Sequence, residues 1–181
     1  MPDVRVTEHL HGRYRDVLRA ADGRVVWARP WRTNAIVTDC RRLLAAFMRG
    51  APATAGIGGM WVGAGLAAWD LPPGPPPATP AQTALVDPFP FEVTPANLDI
   101  QFLDLTTGAI SATPTSKIQI VAKLGPGLPP SPWPNHPNLT LREFGLFGTL
   151  GATRVLINYV THPAIVKDPT STLERTVWLV F

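Results

Sequence analysis

The chain has 181 residues, 45% of them hydrophobic and 16% charged, with a formal net charge of +3. That length suits one domain burying about 70% of its unfolded surface, and a charged share below the average of roughly 25% leaves more neutral surface for contact. The basic residues stand singly or in pairs such as Arg41–Arg42, so there is no long cationic stripe to follow phosphates and nucleic acid is not the favoured partner.

The first stretch, MPDVRVTEHLHGRYRD, is polar and charged and contains no apolar segment of signal-peptide length. No run anywhere approaches about eighteen apolar residues, so no membrane insertion is expected. A soluble product, not exported by the general route, follows. Tyr14–Leu18 and Val25–Trp31 flank Ala20–Gly23, and Asp22–Gly23 suits the positive backbone angles of a hairpin turn. Asn34–Thr38 continues as a short extended segment. Thr38 or Asp39 can then accept the free amides of a helix through Arg41–Arg49, with Gly50 as its stop. Leu43, Leu44, Phe47 and Met48 form one apolar stripe on that helix, with Arg41, Arg42 and Arg49 at its ends or wet side. It is the one helix the sequence predicts. The single cysteine, Cys40, cannot form an internal disulfide, which suits a reducing cytoplasm, and its apolar setting favours a small buried hydrophobe over a reactive thiol.

Ala51–Gly59 reads as a small-residue loop, and Met60–Gly65 as a strand that delivers the chain to a glycine turn. Gly63 and Gly65 lack the third glycine of a dinucleotide fingerprint, and Leu66–Asp70, followed by proline, cannot supply its helix. The 21 prolines are about twice the average share. They cluster at 71–80 (LPPGPPPATP) and 125–137 (GPGLPPSPWPNHP), where they forbid helix and ladder alike and predict extended arms. Between them, Leu98–Leu105 and Lys117–Leu124 alternate apolar and polar residues and predict a second hairpin.

The last quarter, Leu139–Phe181, contains three runs rich in β-branched and aromatic residues, Leu139–Phe147, Arg154–Val160 and Thr172–Phe181. They read as a small antiparallel sheet. Arg154–Val160 is apolar on both faces and therefore central, and a run ending on Val180 and Phe181 requires its strand to be docked. About eight strands and one helix predict a mainly β fold. The expected form is an antiparallel, jelly-roll-like β-sandwich with one short α-helix and long proline-rich loops, in a single domain over 1–181.

Candidate chemistry is sparse. The histidines are His9, His11, His136 and His162. His9 and His11 would share one face of a strand, but no third histidine or cysteine pair lies near, and a surface pair is the simpler reading. His162, with Glu143 and Lys167, could form an acid–base set, yet a nucleophile with an orienting partner is missing. No catalytic residue, metal or cofactor is expected. Arg142 and Glu143 place opposite charges inside an apolar run where the alternation changes phase. A bulge there would turn both into hydrogen bonds across the sheet, and an ion pair between subunits is the alternative. Among six tryptophans, Trp178 reads as core, whereas Trp69 and Trp133 border the proline tracts and read as interface or glycan-stacking aromatics.

Two stretches carry a resemblance. WRTNAIVTDCRRLLAAFMRG, then GGMWVGAG and AWD, resembles the opening of small tail and baseplate-associated proteins of tailed phages and phage-tail-like contractile injection systems. LREFGLFG, RVLINYVTHPAIVKD and TLERTVWLVF resemble the close of tail-fibre and tail-collar-type proteins. Together they cover Trp31–Asp70 and Leu139–Phe181. The proline tracts fall outside the shared pattern. The resemblance implies a non-enzymatic structural subunit at the baseplate or fibre attachment, binding copies of itself and other tail subunits. It would assemble in the cytoplasm and then form part of a virion or virion-like particle. Trp69, Trp133, Arg142, Glu143 and Phe181 are the predicted interface residues. A receptor- or glycan-binding fibre tip and a capsid-decorating protein are the alternatives.

Overall fold

The computed structural model describes residues 10–130, 133 and 139–181. In chain order it has β1 (His11–Arg19), β2 (Val25–Ala28), β3 (Arg32–Ile36), helix α1 (Thr38–Arg49), β4 (Thr54–Gly63), β5 (Phe91–Val93) and β6 (Leu98–Leu103). There follow β7 (Ile110–Ser111), β8 (Lys117–Leu124), β9 (Thr140–Leu150), β10 (Thr153–Leu156), β11 (Asn158–Val166) and β12 (Thr172–Val180). The fold is mainly β and antiparallel, with α1 as the one α-helix among the described residues. The strands form one sheet in the order β5-β4-β9-β11-β3-β1-β12-β8-β6-β7, with β10 added to β9 and β2 to β1.

This sheet curls into a half-barrel, which gives it a sandwich-like interior. Met60, Val62, Phe144 and Leu146 from one half meet Tyr14, Ile120, Val177 and Leu179 from the other in a single core cluster. The Tyr14 ring stands edge-on to Phe144, 5.2 Å between centroids. Each fully buried side chain of this kind contributes about 1.5–3 kcal/mol relative to exposure. β9 is buried along nearly its whole length on both faces. At Gly145 an added Cβ would stand 2.7 Å from the Asn158 carbonyl oxygen, so only glycine lets the β9 and β11 backbones come this close.

The predicted hairpins are present: β1 pairs β2 and β6 pairs β8. The last quarter does not form a sheet of its own. β9 and β11 pair, but β12 lies in the other half between β1 and β8. The reason is edge supply. β9 is already flanked by β4 on one side and β10 and β11 on the other, so an apolar last strand must pair where edges are open. The run Arg154–Val160 is also divided, into the end of β10 and the start of β11, though Val155–Val160 is buried as a central segment should be. Ala51–Gly59 is not a loop throughout, since β4 begins at Thr54 and pairs with β9.

Helix α1 starts earlier than expected, and neither Thr38 nor Asp39 caps it. The residue before it, Val37, has no side-chain cap bond. The Thr38 amide and hydroxyl both donate to the Pro80 carbonyl, at 2.8 and 3.1 Å. Asp39, in the first turn at the positive end of the helix, instead accepts from Arg42 at 2.8 Å. The stop is as predicted. Gly50 takes the left-handed conformation at φ 69°, and the Gly50 and Ala51 amides return to the carbonyls of Phe47 and Ala46.

The segment 71–80 is held to the body, through Thr38 and through the Thr161 hydroxyl, which donates to Pro76 at 2.7 Å. Of 125–137, the described part is fastened by the Gly127 amide on the Pro169 carbonyl and by Lys167 Nζ on the Gly125 carbonyl.

Candidate functional site

Three groups of charged side chains and one apolar face are the places where this fold could act. The first group lies under the junction of β1, β11 and β12. Asp16 shares strand parity with the core residues Tyr14 and Leu18, and Arg175 shares it with Leu173, Val177 and Leu179. The β1–β12 register sets Asp16 opposite Arg175. The side chains of both are fully buried. Arg175 Nε donates to Asp16 Oδ1 at 2.6 Å, and Nη2 reaches Asp16 Oδ2 at 3.2 Å. The same Nη2 stands 3.0 Å from His162 Nε2, and His162 Nδ1 stands 2.9 Å from the Pro163 carbonyl. An arginine only donates and a carbonyl only accepts, so His162 is neutral with its proton on Nδ1. The guanidinium carbon lies 3.8 Å from the Phe144 ring centroid, a desolvated cation–π contact.

His162 arrives there through a bulge. β11 and β9 pair normally at Thr161↔Glu143 and again at Ile165↔Leu141, so β11 carries two extra residues between those pairs. Pro163 cannot donate to a ladder, and the slip turns His162 inward to 1% exposure. Arg29 holds the displaced carbonyls of Pro163 and Ala164, each at 3.2 Å. The bulge predicted at Arg142–Glu143 therefore sits on the opposite strand, and β9 itself runs unbroken.

Burial pushes the His162 ring down to about 3, and the Arg175 charge adds to the effect. For Asp16, burial opposes ionisation, but the Arg175 guanidinium overrides it and holds the carboxyl below its usual range. The folded chain keeps His162 neutral where the unfolded chain, near 6.5, takes a proton. The stability it contributes is complete above pH 6.5 and is lost as pH falls toward 3, by about 1.4 kcal/mol per unit. Between pH 7 and pH 5 this amounts to about 2 kcal/mol. Asp16 contributes its loss only below its ordinary 3.8. Glu143 runs the opposite way, since burial raises its carboxyl and stability then declines as pH rises from 4.5. Urea unfolding at both pH values should show a smaller decline from pH 7 to pH 5 in His162→Gln than in the parent. Equal declines would clear the histidine of this role.

The second and third groups grow from β9, whose adjacent residues Arg142 and Glu143 point to opposite faces. Glu143 is fully buried. It accepts the Val86 amide at 2.9 Å, the Asp87 amide at 2.7 Å and the Tyr159 hydroxyl at 2.5 Å. Asp87 in turn accepts the amides of Ala64 and Phe89. Burial, and then the bond to Glu143, push the Tyr159 phenol far above its ordinary range. On the other face Arg142 makes a two-pronged pair with Asp70, at 2.9 and 2.7 Å, and donates to the Ala64 carbonyl at 2.8 Å. These two charges clamp the loops after β4 onto the sheet. The partners of Arg142 are thus within its own chain, which is the arrangement of an internal tether.

The other predicted interface residues separate. Trp69 is 8% and Trp133 4% exposed, contrary to the expectation that residues bordering proline tracts would be displayed. Trp69 sits in a single 3-10 turn, Ala67–Asp70, and its ring lies over Gly65, whose missing side chain makes the room. Trp133 joins the main core cluster. Trp178, expected in the core, is only partly buried, and its ring packs at a tilt against Trp31, 4.2 Å between centroids, with Lys117 over its ring. Phe181 remains 42% exposed. His9 and His136 lie outside the described residues, so the His9–His11 pair has no placement. Among the described residues no group of three or more histidine, cysteine or acidic side chains is gathered for a metal. No described helix is long and apolar enough to cross a membrane.

Among the described residues, a concavity of about 470 Å³ lies between residues 69–75 and Pro163–Ala164, with Trp69 and Asp70 in its lining, and two others lie beside the groups above. One, of about 570 Å³, is lined by Tyr14, Arg32, Asn34, Pro77, Tyr159 and Thr161 among others, and the Tyr159 hydroxyl is already given to Glu143. The other, of about 340 Å³, is an almost wholly apolar groove between α1 and the ends of β6, β8 and β12. Phe47, Ile100, Phe102 and Phe181 line it while staying 38–46% exposed. Cys40 lines it too, and burial pushes its thiol up to about 11, so it is a hydrophobic wall and not a nucleophile. The helical stripe legible in the sequence is thus only half covered: Leu43 is buried, but Met48 is 91% exposed.

Comparison of the chain with protein-family models, curated proteins and solved structures finds no match.

Proposed function

We propose that the protein is a non-enzymatic structural subunit of a phage tail or phage-tail-like contractile injection particle, at the baseplate or fibre attachment, acting by assembly with copies of itself and with other tail subunits. The observation that carries this reading is the uncovered apolar face formed by α1, β6 and Phe181. Large exposed apolar patches on a folded domain mark contact sites. The charges available for chemistry point the same way: Asp16, Arg175, Arg142 and Glu143 are engaged in internal pairs and tethers. The resemblance of Trp31–Asp70 and Leu139–Phe181 to tail and baseplate-associated proteins supplies the context. The glycan-binding alternative loses the two rings it was built on, because Trp69 and Trp133 are buried.

Gold-labelled antibody against the chain, applied to particles from the producing cells and viewed by electron microscopy, tests the assignment. Label at one end of a tail or tail-like particle is the expected result. Label over shells would replace it with capsid decoration, and unlabelled particles would overturn it.

A further inference from the structure

Strands β3 and β11 part in the middle of the sheet. They pair at Ile36↔Asn158 and Ala35↔Tyr159, and the same register carried on would set Asn34 against Val160 and Thr33 against Thr161. Instead β3 gives Arg32–Asn34 to β1, and the bulge after Thr161 bends β11 away. All four residues line the cavity of about 570 Å³, within the range of about 300–1,000 Å³ of small-molecule sites. Its rim at Pro77 and Ala78 is fixed on both sides, by the Thr161 hydroxyl on the Pro76 carbonyl and by the Thr38 amide and hydroxyl on the Pro80 carbonyl. The cavity is therefore in place before anything enters it.

Tyr14 and Arg32 stand opposite each other in the β1–β3 register, so their side chains share a face. Arg32 is the one charged residue in the lining, it is exposed, and it has no hydrogen bond or ion pair among the described residues. Tyr14 is only 4% exposed. Its hydroxyl nevertheless has no hydrogen-bond partner among the described residues and is not closed off from solvent, so it opens into the cavity that Tyr14 lines. Burial raises the phenol above its ordinary range, so it keeps its proton and donates. The charges of Arg175, Arg32 and Arg29 all reach it, against one carboxylate, Asp16, which Arg175 already binds. Glu143 lies behind Tyr159, with its oxygens taken by the Val86 and Asp87 amides and the Tyr159 hydroxyl. Asn34 sits over Gly12, and both its amide atoms are buried without a partner. That costly state ends when the side chain turns into the cavity and meets a group that both donates and accepts.

We propose that this cavity binds a small organic carboxylate, with the Arg32 guanidinium and the Tyr14 hydroxyl on the carboxylate and the Asn34 amide on a neighbouring amide or hydroxyl of the ligand. One free guanidinium offers two parallel N–H groups, which match the two oxygens of a carboxylate and leave the third oxygen of a phosphate unanswered. Ala35, Pro77, Ala78 and Val160 supply an apolar wall for the carbon body. An N-acylated amino acid and an acidic sugar both carry this chemistry.

Amide NMR spectra of the full chain, titrated separately with N-acetyl-L-alanine, D-glucuronate, neutral N-acetyl-L-alaninamide and inorganic phosphate, test the site. At least one carboxylate should give saturable shifts at the Thr33, Asn34, Val160 and Thr161 amides, and the tighter of the two identifies the source. Arg32→Gln should weaken that ligand at least about tenfold, and the neutral amide should give no saturable shift. Arg32 is exposed, so its replacement spares the fold, and Arg24→Gln, at the exposed β1–β2 turn, should leave the affinity unchanged. Absence of any saturable shift up to about 10 mM, well above a Kd of about 1 mM, overturns the inference. Binding undiminished by Arg32→Gln, or phosphate as tight as the carboxylates, overturns it equally.

Discussion

Asp16→Ala should destabilise the protein by about 3–5 kcal/mol, because it leaves the Arg175 guanidinium buried without its counter-charge. Both side chains are fully buried, so solvent cannot screen the loss. The neighbours cannot compensate: His162 is neutral, and the Phe144 ring faces the guanidinium only with its π surface. Equilibrium unfolding in urea measures the effect. Removing both charges at once, with Asp16→Leu and Arg175→Met, should cost far less than the sum of the single changes, since well-packed apolar groups replace buried ion pairs at little cost. Additive losses would mean that the two residues do not act as a pair.

The second large effect is expected at Glu143. Glu143→Ala removes the acceptor for the Val86 and Asp87 amides and the Tyr159 hydroxyl. Each buried donor left without a partner costs about 1–3 kcal/mol, so a loss of about 3 kcal/mol or more is expected. Glu143→Gln should cost less, because its amide oxygen still accepts from the Asp87 amide and, with the amide nitrogen toward Tyr159, that hydroxyl can turn to accept, so that of the three donors only the Val86 amide loses its acceptor. Hydrogen exchange separates a local from a global effect: the Val86 and Asp87 amides should lose protection in Glu143→Ala before the β1–β12 ladder does. Unchanged protection at those amides would show that Glu143 does not hold this loop.

Several signals for these sites are present in the sequence. Arg175 falls on the same parity as Leu173, Val177 and Leu179, and Asp16 on that of Tyr14 and Leu18. A charge on a core parity announces a buried partner of opposite sign. The phase change near Arg142 and Glu143 predicts a bulge in their own strand, but Pro163 is the residue that cannot keep a ladder, and the bulge lies there. Asp70 and Asp87 carried no comparable signal, because their loops are placed by the sheet and not by their own pattern. The tryptophans mislead for the same reason. A ring beside a proline tract looks exposed along the chain, yet the Trp69 ring packs over Gly65 and Trp133 reaches the core.

By itself the sequence determined the local elements: the entrance hairpin from its Asp-Gly turn, the helix from its stripe and Gly50, the pairing of Leu98–Leu103 with Lys117–Leu124 from alternation, and hence a mainly β, antiparallel fold. These follow from backbone preferences and side-chain period, which act over a few residues. Only the tertiary structure decided that β12 leaves β9 and β11 for β1 and β8, that Asp16 meets Arg175 across 159 positions of chain, and that half of the helical stripe stays uncovered. Those outcomes depend on which strand edges are already occupied when the sheet curls, a condition set by the whole chain at once and written in no single segment.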